Sequence, residues 1–256
     1  MPVTKQPTPT QWMAKSPTDT KCRPGLEIFA NLKSVHLKQK IDMLEVLTGW
    51  QVKNKFRITN PETNEMIGMF KEAGGRCQRQ CCNSARAFTA DIVGEGDQVL
   101  FKIDRPLHCN CCCCVDACDG CCGQQMTVMD AAGEKLSFIK QMNSSCICCL
   151  SDWILSIPDA SGQEKFRLEN NICRATCCEK FSDGCCTDKY LYINDVNGMR
   201  VGEVIKKWRG CLTECCTPAD ALLINFPDSA TPEDKAAIIA AVLLSDYNLW
   251  EQDSDN

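Results

Sequence analysis

Cysteine is the residue on which chemistry could rest in this chain. There are 23 cysteines in 256 residues, about 9%, a density that marks a disulfide scaffold in a short secreted domain. Three stretches share the spacing Cys-x-x-x-Cys-Cys: Cys77, Cys81 and Cys82; Cys173, Cys177 and Cys178; Cys211, Cys215 and Cys216. A denser run holds Cys109, the four consecutive residues Cys111, Cys112, Cys113 and Cys114, and then Cys118, Cys121 and Cys122. Structural zinc needs four thiolate or imidazole ligands in a tetrahedron, and Cys118-x-x-Cys121 has the local spacing for half of such a site. His36 and His108 are the only histidines, so a zinc site here would be built mostly from thiolates. Four adjacent cysteines suit a metal poorly, because neighbouring side chains on an extended strand point to opposite faces. They fit acylation better: one acyl chain holds a protein to a bilayer marginally and two or more hold it stably. Burial as small apolar residues is the third use open to each thiol.

Other chemistry finds little support. Neither histidine belongs to a recognisable Cys-His nucleophile signature, and no glycine loop that would cradle phosphate is present, so an enzyme is not expected. A formal net charge of -5, with 28 Lys and Arg scattered along the chain, argues against nucleic acid as a partner. Residues 1–23 are polar at the start and threaded with Pro2, Pro7, Pro9 and Pro17. They lack the apolar centre of a signal peptide and are expected to be a short disordered lead, which puts the thiols in a reducing compartment.

The elements that must carry the cysteines are hairpins. Lys55–Thr59 leads through Asn60-Pro61-Glu62-Thr63-Asn64 into Met66–Phe70, and Gln125–Met129 through Asp130-Ala131-Ala132-Gly133 into Leu136–Lys140. Trp153–Ile157 turns at Pro158-Asp159-Ala160-Ser161-Gly162 into Glu164–Leu168, and Tyr190–Asn194 at Asp195-Val196-Asn197-Gly198 into Met199–Ile205. Asx side chains and glycine supply the hydrogen bonds and positive φ of such turns. Strands at this spacing predict a sandwich or a barrel. The stretch from Leu37 to Trp50 reads equally as helix or strand.

The last element is a helix over residues 232–250, with Thr231 as cap, Pro232 at the first position and Asp234 three residues after the cap. Its run Ala236–Leu244 is apolar on every face, so it is enclosed. Nine residues fall short of the about 20 needed to cross a bilayer. A helix core inside the protein is therefore expected, followed by an acidic tail at 251–256.

Pro24-Gly25-Leu26-Glu27, Leu47-Thr48-Gly49-Trp50 with Asn54-Lys55-Phe56, Arg105-Pro106-Leu107, Gly202–Trp208 and Asn225-Phe226-Pro227 run in order along the chain. This serial set resembles the phospholipid scramblase family. The resemblance implies a mainly β protein, a closed twelve-stranded antiparallel tubby-like β-barrel over residues 24–250 around the hydrophobic C-terminal helix, and would make Leu37–Trp50 a strand. It implies movement of phospholipids between leaflets in response to calcium, and acylation that maps to Cys111, Cys112, Cys113 and Cys114. The expected place is the cytoplasmic face of a membrane, most readily the plasma membrane, with phospholipid and protein partners. The family's calcium segment falls on Pro218–Ser229, where Pro218 replaces the opening acid, Asp220 is kept, and Ser229 with Asp228 beside it closes. Calcium takes six to eight oxygen ligands, so these losses weaken the site. Ala219–Pro227 also reads as a last barrel strand. The alternative within the same resemblance is a palmitoylated adaptor that binds headgroups or proteins and moves no lipid.

Overall fold

A computed structural model describes residues 11–14, 22–39, 56–73, 87–107, 123–142, 153–170, 188–207 and 221–250. Twelve strands run through them: β1 (Ser34–Gln39), β2 (Phe56–Thr59), β3 (Met66–Ala73), β4 (Phe88–Val93), β5 (Val99–Arg105), β6 (Gln125–Asp130), β7 (Lys135–Gln141), β8 (Trp153–Pro158), β9 (Glu164–Asn170), β10 (Lys189–Asp195), β11 (Arg200–Lys206) and β12 (Ala221–Asn225). Each pairs antiparallel with its neighbours in sequence. The first and last strands pair as well, Ser34 opposite Asn225 and Lys38 opposite Ala221, which closes the barrel and leaves no sheet edge.

Three hairpins use one local solution. The carboxylate of Asp130 accepts from the Glu134 N–H at 2.8 Å, that of Asp159 from Ser161 and Gln163, and that of Asp195 from Asn197 and Met199. The N–H of Gly133, Gly162 or Gly198 closes each turn onto the carbonyl of its aspartate, at φ of +92°, +87° and +77°. That conformation is open to glycine and costly for residues with a Cβ. The strand register shifts beside all three turns, so each hairpin carries a bulge that adds twist.

Alternation does the rest. Met126, Val128, Leu155, Ile157, Leu168, Leu191, Ile193 and Val204 point inward and are at most 1% exposed. Lys71, Lys102, Asp104, Lys165 and Arg167 fall at the alternate positions. This wall is the inverse of a membrane-spanning barrel, where Lys or Arg at mid-bilayer costs roughly 2–4 kcal/mol.

The interior is filled by a helix, α1 (Pro232–Ser245), which continues for one wider π turn over Asp246–Trp250. The expected helix over 232–250 is therefore α-helical only to Ser245. Thr231 and Asp234 form the capping box read from sequence: the Asp234 N–H donates to Thr231 Oγ1 and the Thr231 N–H to Asp234 Oδ2. Every residue of Ala236–Leu244 is no more than 2% exposed. The helix packs on β6, β7, β8, β9 and a 3-10 turn at Glu27–Phe29. Its four alanines keep it slim enough for the barrel, while Ile238, Ile239, Val242, Leu243 and Leu244 each contribute about 1.5–3 kcal/mol by burial.

The barrel is equally tight elsewhere. A Cβ on Gly202 would stand 2.6 Å from the Asn225 carbonyl oxygen, closer than any real contact, so β11 and β12 approach there only because that residue is glycine. At the start of β3, beside the β2–β3 turn, residues 11–14 from the proline-punctuated lead pair with Met66: the Met13 N–H donates to Met66 O and the Met66 N–H to Gln11 O, both at 2.9 Å, and Met13 packs against the core. The stretch that reads equally as helix or strand begins as strand β1 through Gln39; its remainder lies outside the described residues.

Candidate functional site

An up-and-down barrel sorts its connections by end. The turns after β2, β4, β6, β8 and β10 are short, and all lie at the end where α1 begins. The connections after β1, β3, β5, β7, β9 and β11 are long and leave from the opposite rim. Every cysteine except Cys22 belongs to five of these long connections, between β3 and β4, β5 and β6, β7 and β8, β9 and β10, and β11 and β12. The antiparallel topology thus tethers 22 thiols to one rim. Cys111, Cys112, Cys113 and Cys114 are in the β5–β6 connection and lie outside the described residues, as do the other cysteines of that rim. Cys22 is partly buried against the core.

The described part of the rim is held by a buried guanidinium. Arg105, the last residue of β5, is 1% exposed. Its Nη2 donates to Gln124 Oε1 at 2.6 Å and to Asn248 Oδ1 at 3.3 Å, and its charge lies 5.8 Å and 6.0 Å from the ring centres of Phe88 and Tyr247. The Gln124 N–H donates to Gln141 Oε1, and the Gln141 N–H to Gln124 O. One network therefore ties the exit of β5, the entry of β6, the end of β7 and the C-terminal turn of the helix. A cation at a helix C-terminus is also stabilised by the macrodipole. Sequence reading placed Arg105 only within a motif; a buried arginine whose partner is 143 positions away leaves no local signal.

The exposed described residues of the rim are Pro106, Leu107, Met142, Lys189, Tyr190 and Lys207, with Leu107 56% exposed and Tyr190 40%. On the wall close by, burial lowers the pKa of His36, and Lys38 and Lys207 lower it further by charge.

The other end is chemically different. Residues 60–65, 94–98, 130–134, 159–163 and 195–199 each hold at least one carboxylate and no Lys or Arg. Burial alone would raise the Asp130 carboxyl, but hydrogen bonds from Arg23 and the turn amide hold it below its ordinary value. The Ser161 hydroxyl does most to lower Asp159, and the Met199 amide to lower Asp195. The α1 N-terminus is closed at this end by Lys235, 6% exposed, whose ammonium donates to the carbonyls of Phe29 and Ala30 at 2.9 and 3.0 Å. Burial lowers its pKa, against the Asp234 charge.

The segment expected to hold calcium divides. Asp220 lies outside the described residues; Ala221–Asn225 is strand β12, and Asp228 is exposed in the turn beyond it. Among the described residues, no group of three or more His, Cys, Asp or Glu could hold a metal ion, and no helix is long and apolar enough to cross a membrane.

Comparison with known proteins adds the family. Residues 13–252 match the Scramblase family model. The chain is 30% identical to human (Homo sapiens) phospholipid scramblase 1 over 252 residues, covering 94% of this chain and 70% of the relative. It is 27% identical to human phospholipid scramblase 2, covering 98% and 80%, and 28% identical to mouse (Mus musculus) phospholipid scramblase 4, covering 98% and 72%. A twelve-stranded barrel closed around a C-terminal helix and a family match over nearly its whole length establish that this chain belongs to the scramblase family.

Proposed function

We propose that the protein is a membrane-associated, non-enzymatic scramblase that lets phospholipids pass between leaflets without ATP. It is held at the cytoplasmic face of the plasma membrane by acyl chains on Cys111, Cys112, Cys113 and Cys114. The observation that carries this reading is the gathering of all cysteines but one into connections from a single rim, in a barrel whose relatives are named phospholipid scramblases. Two or more acyl chains at one end hold a protein stably and with a fixed side toward lipid. Calcium enters the proposal through Asp220 or Asp228, not both at one ion: Asp220 precedes and Asp228 follows the five residues of β12, which span about 16 Å, so other oxygen donors must supply the rest of the six to eight the ion takes.

The test is transport by the purified full chain in liposomes carrying a fluorescent phospholipid, read by dithionite quenching with and without calcium. Quenching beyond the outer leaflet supports the proposal, and a further rise with calcium supports its calcium part. Quenching that stops at the outer leaflet in both conditions overturns it.

One observation favours a second reading. The barrel interior is packed with α1 and the wall carries charge, so neither offers an apolar path for a lipid tail. A tethered adaptor that binds headgroups or proteins needs no such path. It predicts acylation and membrane binding without transport.

A further inference from the structure

Closing a sheet into a barrel satisfies its edges only where neighbouring strands are equally long. On its β4 side β3 is not matched: the ladder ends with Met69 opposite Val93, and residues 66–68 run on past it toward the turn end. Met66 shows what this overhang offers. Its neighbour Glu65 accepts from the Asn60 N–H, so the N–H and C=O of Met66 turn away from β2, as in a non-hydrogen-bonded antiparallel pair. Both groups are taken by residues 11–14, which lie parallel to β3. Trp12 and Met13 line the slot with Gly25, Ile28, Ile67, Gly94 and Leu100, and the fit leaves a cavity of about 20 Å³, room for one water. Trp12 and Met13 are only half-buried there.

We propose that this overhang is a strand-addition site for a protein partner: it takes a short extended peptide in which an aromatic residue is followed by methionine, and residues 11–14 occupy it in cis as a stand-in for that ligand. In such sites the backbone hydrogen bonds supply affinity and the pockets for alternate side chains supply selectivity. Seven residues, 15–21, join the stand-in to Cys22, and a short linker gives an effective concentration in the millimolar range. The partner therefore binds the fraction of molecules whose lead has left, and the lead sets the threshold that the partner must exceed. This site goes beyond the membrane reading. It lies at the turn end, opposite the rim that carries the cysteine connections, so it stays open to a protein while that rim faces lipid.

The test is fluorescence anisotropy of a labelled peptide with the sequence of residues 8–15, titrated with the full-length wild type and with a full-length Trp12→Ser, Met13→Ser variant whose lead no longer fills the slot. The variant is expected to bind the peptide one to one, and the wild type to bind it at least about tenfold more weakly because its own lead competes. A peptide N-methylated at its methionine lacks the donor to the Met66 carbonyl and is expected to bind the variant at least about fivefold more weakly. Hydrogen exchange on the wild type alone gives a second readout: the Met13 and Met66 amides should exchange together and ahead of the β3–β4 ladder. The inference is overturned if the variant, shown to be folded by a cooperative melt, binds no peptide at millimolar concentration, if N-methylation changes nothing, or if the wild type binds as tightly as the variant. It is equally overturned if the two amides exchange only with the ladder, as they would were the lead a fixed cap on a bare edge.

Discussion

The indole Nε1 of Trp153 donates a 2.8 Å hydrogen bond to the hydroxyl oxygen of Ser245, which in turn donates to the Ala241 carbonyl one helical turn back. Trp153 opens β8 at the cysteine-bearing rim and Ser245 closes α1, so this bond locks the end of the central helix to the wall. Ser245→Ala removes the acceptor and leaves a buried indole N–H without its partner, at a cost of about 1–3 kcal/mol. A matching loss in a denaturant titration is expected, and a double-mutant cycle with Trp153→Phe should return a coupling of the same sign; additive effects would contradict the lock.

The helix is fitted to its barrel from both directions. Ala240→Leu adds volume where Ala240 is 0% exposed and is expected to destabilise by about 1–3 kcal/mol. Leu243→Ala opens a cavity and is expected to cost about 2–5 kcal/mol. Chemical unfolding midpoints should fall for both; a rise for Ala240→Leu would mean that the alanine face has room.

Lys235 closes the other end of the rod by donating to two carbonyls of the 3-10 turn. Lys235→Met retains the aliphatic stem and removes the donors, leaving the Phe29 and Ala30 carbonyls without that ammonium. A loss of about 1–3 kcal/mol is expected, with the melting temperature as readout. An unchanged melting temperature would show that burying the ammonium offsets what its hydrogen bonds contribute.

Acid should loosen the turn end first. Asp130, Asp159 and Asp195 are held below their ordinary value in the folded protein, so the unfolded chain takes up protons more readily than the folded one. Their stabilisation is present above about pH 4 and lost as pH falls through the depressed folded values. The triple Asp→Asn variant is expected to show a shallower fall in melting temperature between about pH 5 and pH 3 than the wild type. Parallel curves would contradict this account.

The legible parts of the molecule are those whose chemistry is local. The three Asp-x-x-Gly turns, the Asn60–Asn64 turn and the Thr231-Pro232 cap announce themselves within five residues, so four hairpins and the start of the helix stand at their expected places. The β4–β5 hairpin is less legible because its turn, Gly94–Gln98, uses a 3-10 segment with positive φ at Gly96 and Asp97. Closure of β1 onto β12 joins residues about 190 positions apart and leaves no mark in residue spacing. Arg105 and Lys235 look like surface charges until their partners, 143 and more than 200 positions away, come into view. The cysteine run is plain in the sequence, but its common rim with four other cysteine groups depends on strand direction, which spacing alone does not reveal.

Metabolic labelling with a palmitate analogue, comparing the wild type with a variant in which Cys111, Cys112, Cys113 and Cys114 are changed to Ser, asks whether these four thiols anchor the barrel to the membrane. The account predicts that the variant loses most of its label and shifts from the membrane fraction toward the soluble one. Equal labelling of the two proteins would contradict it.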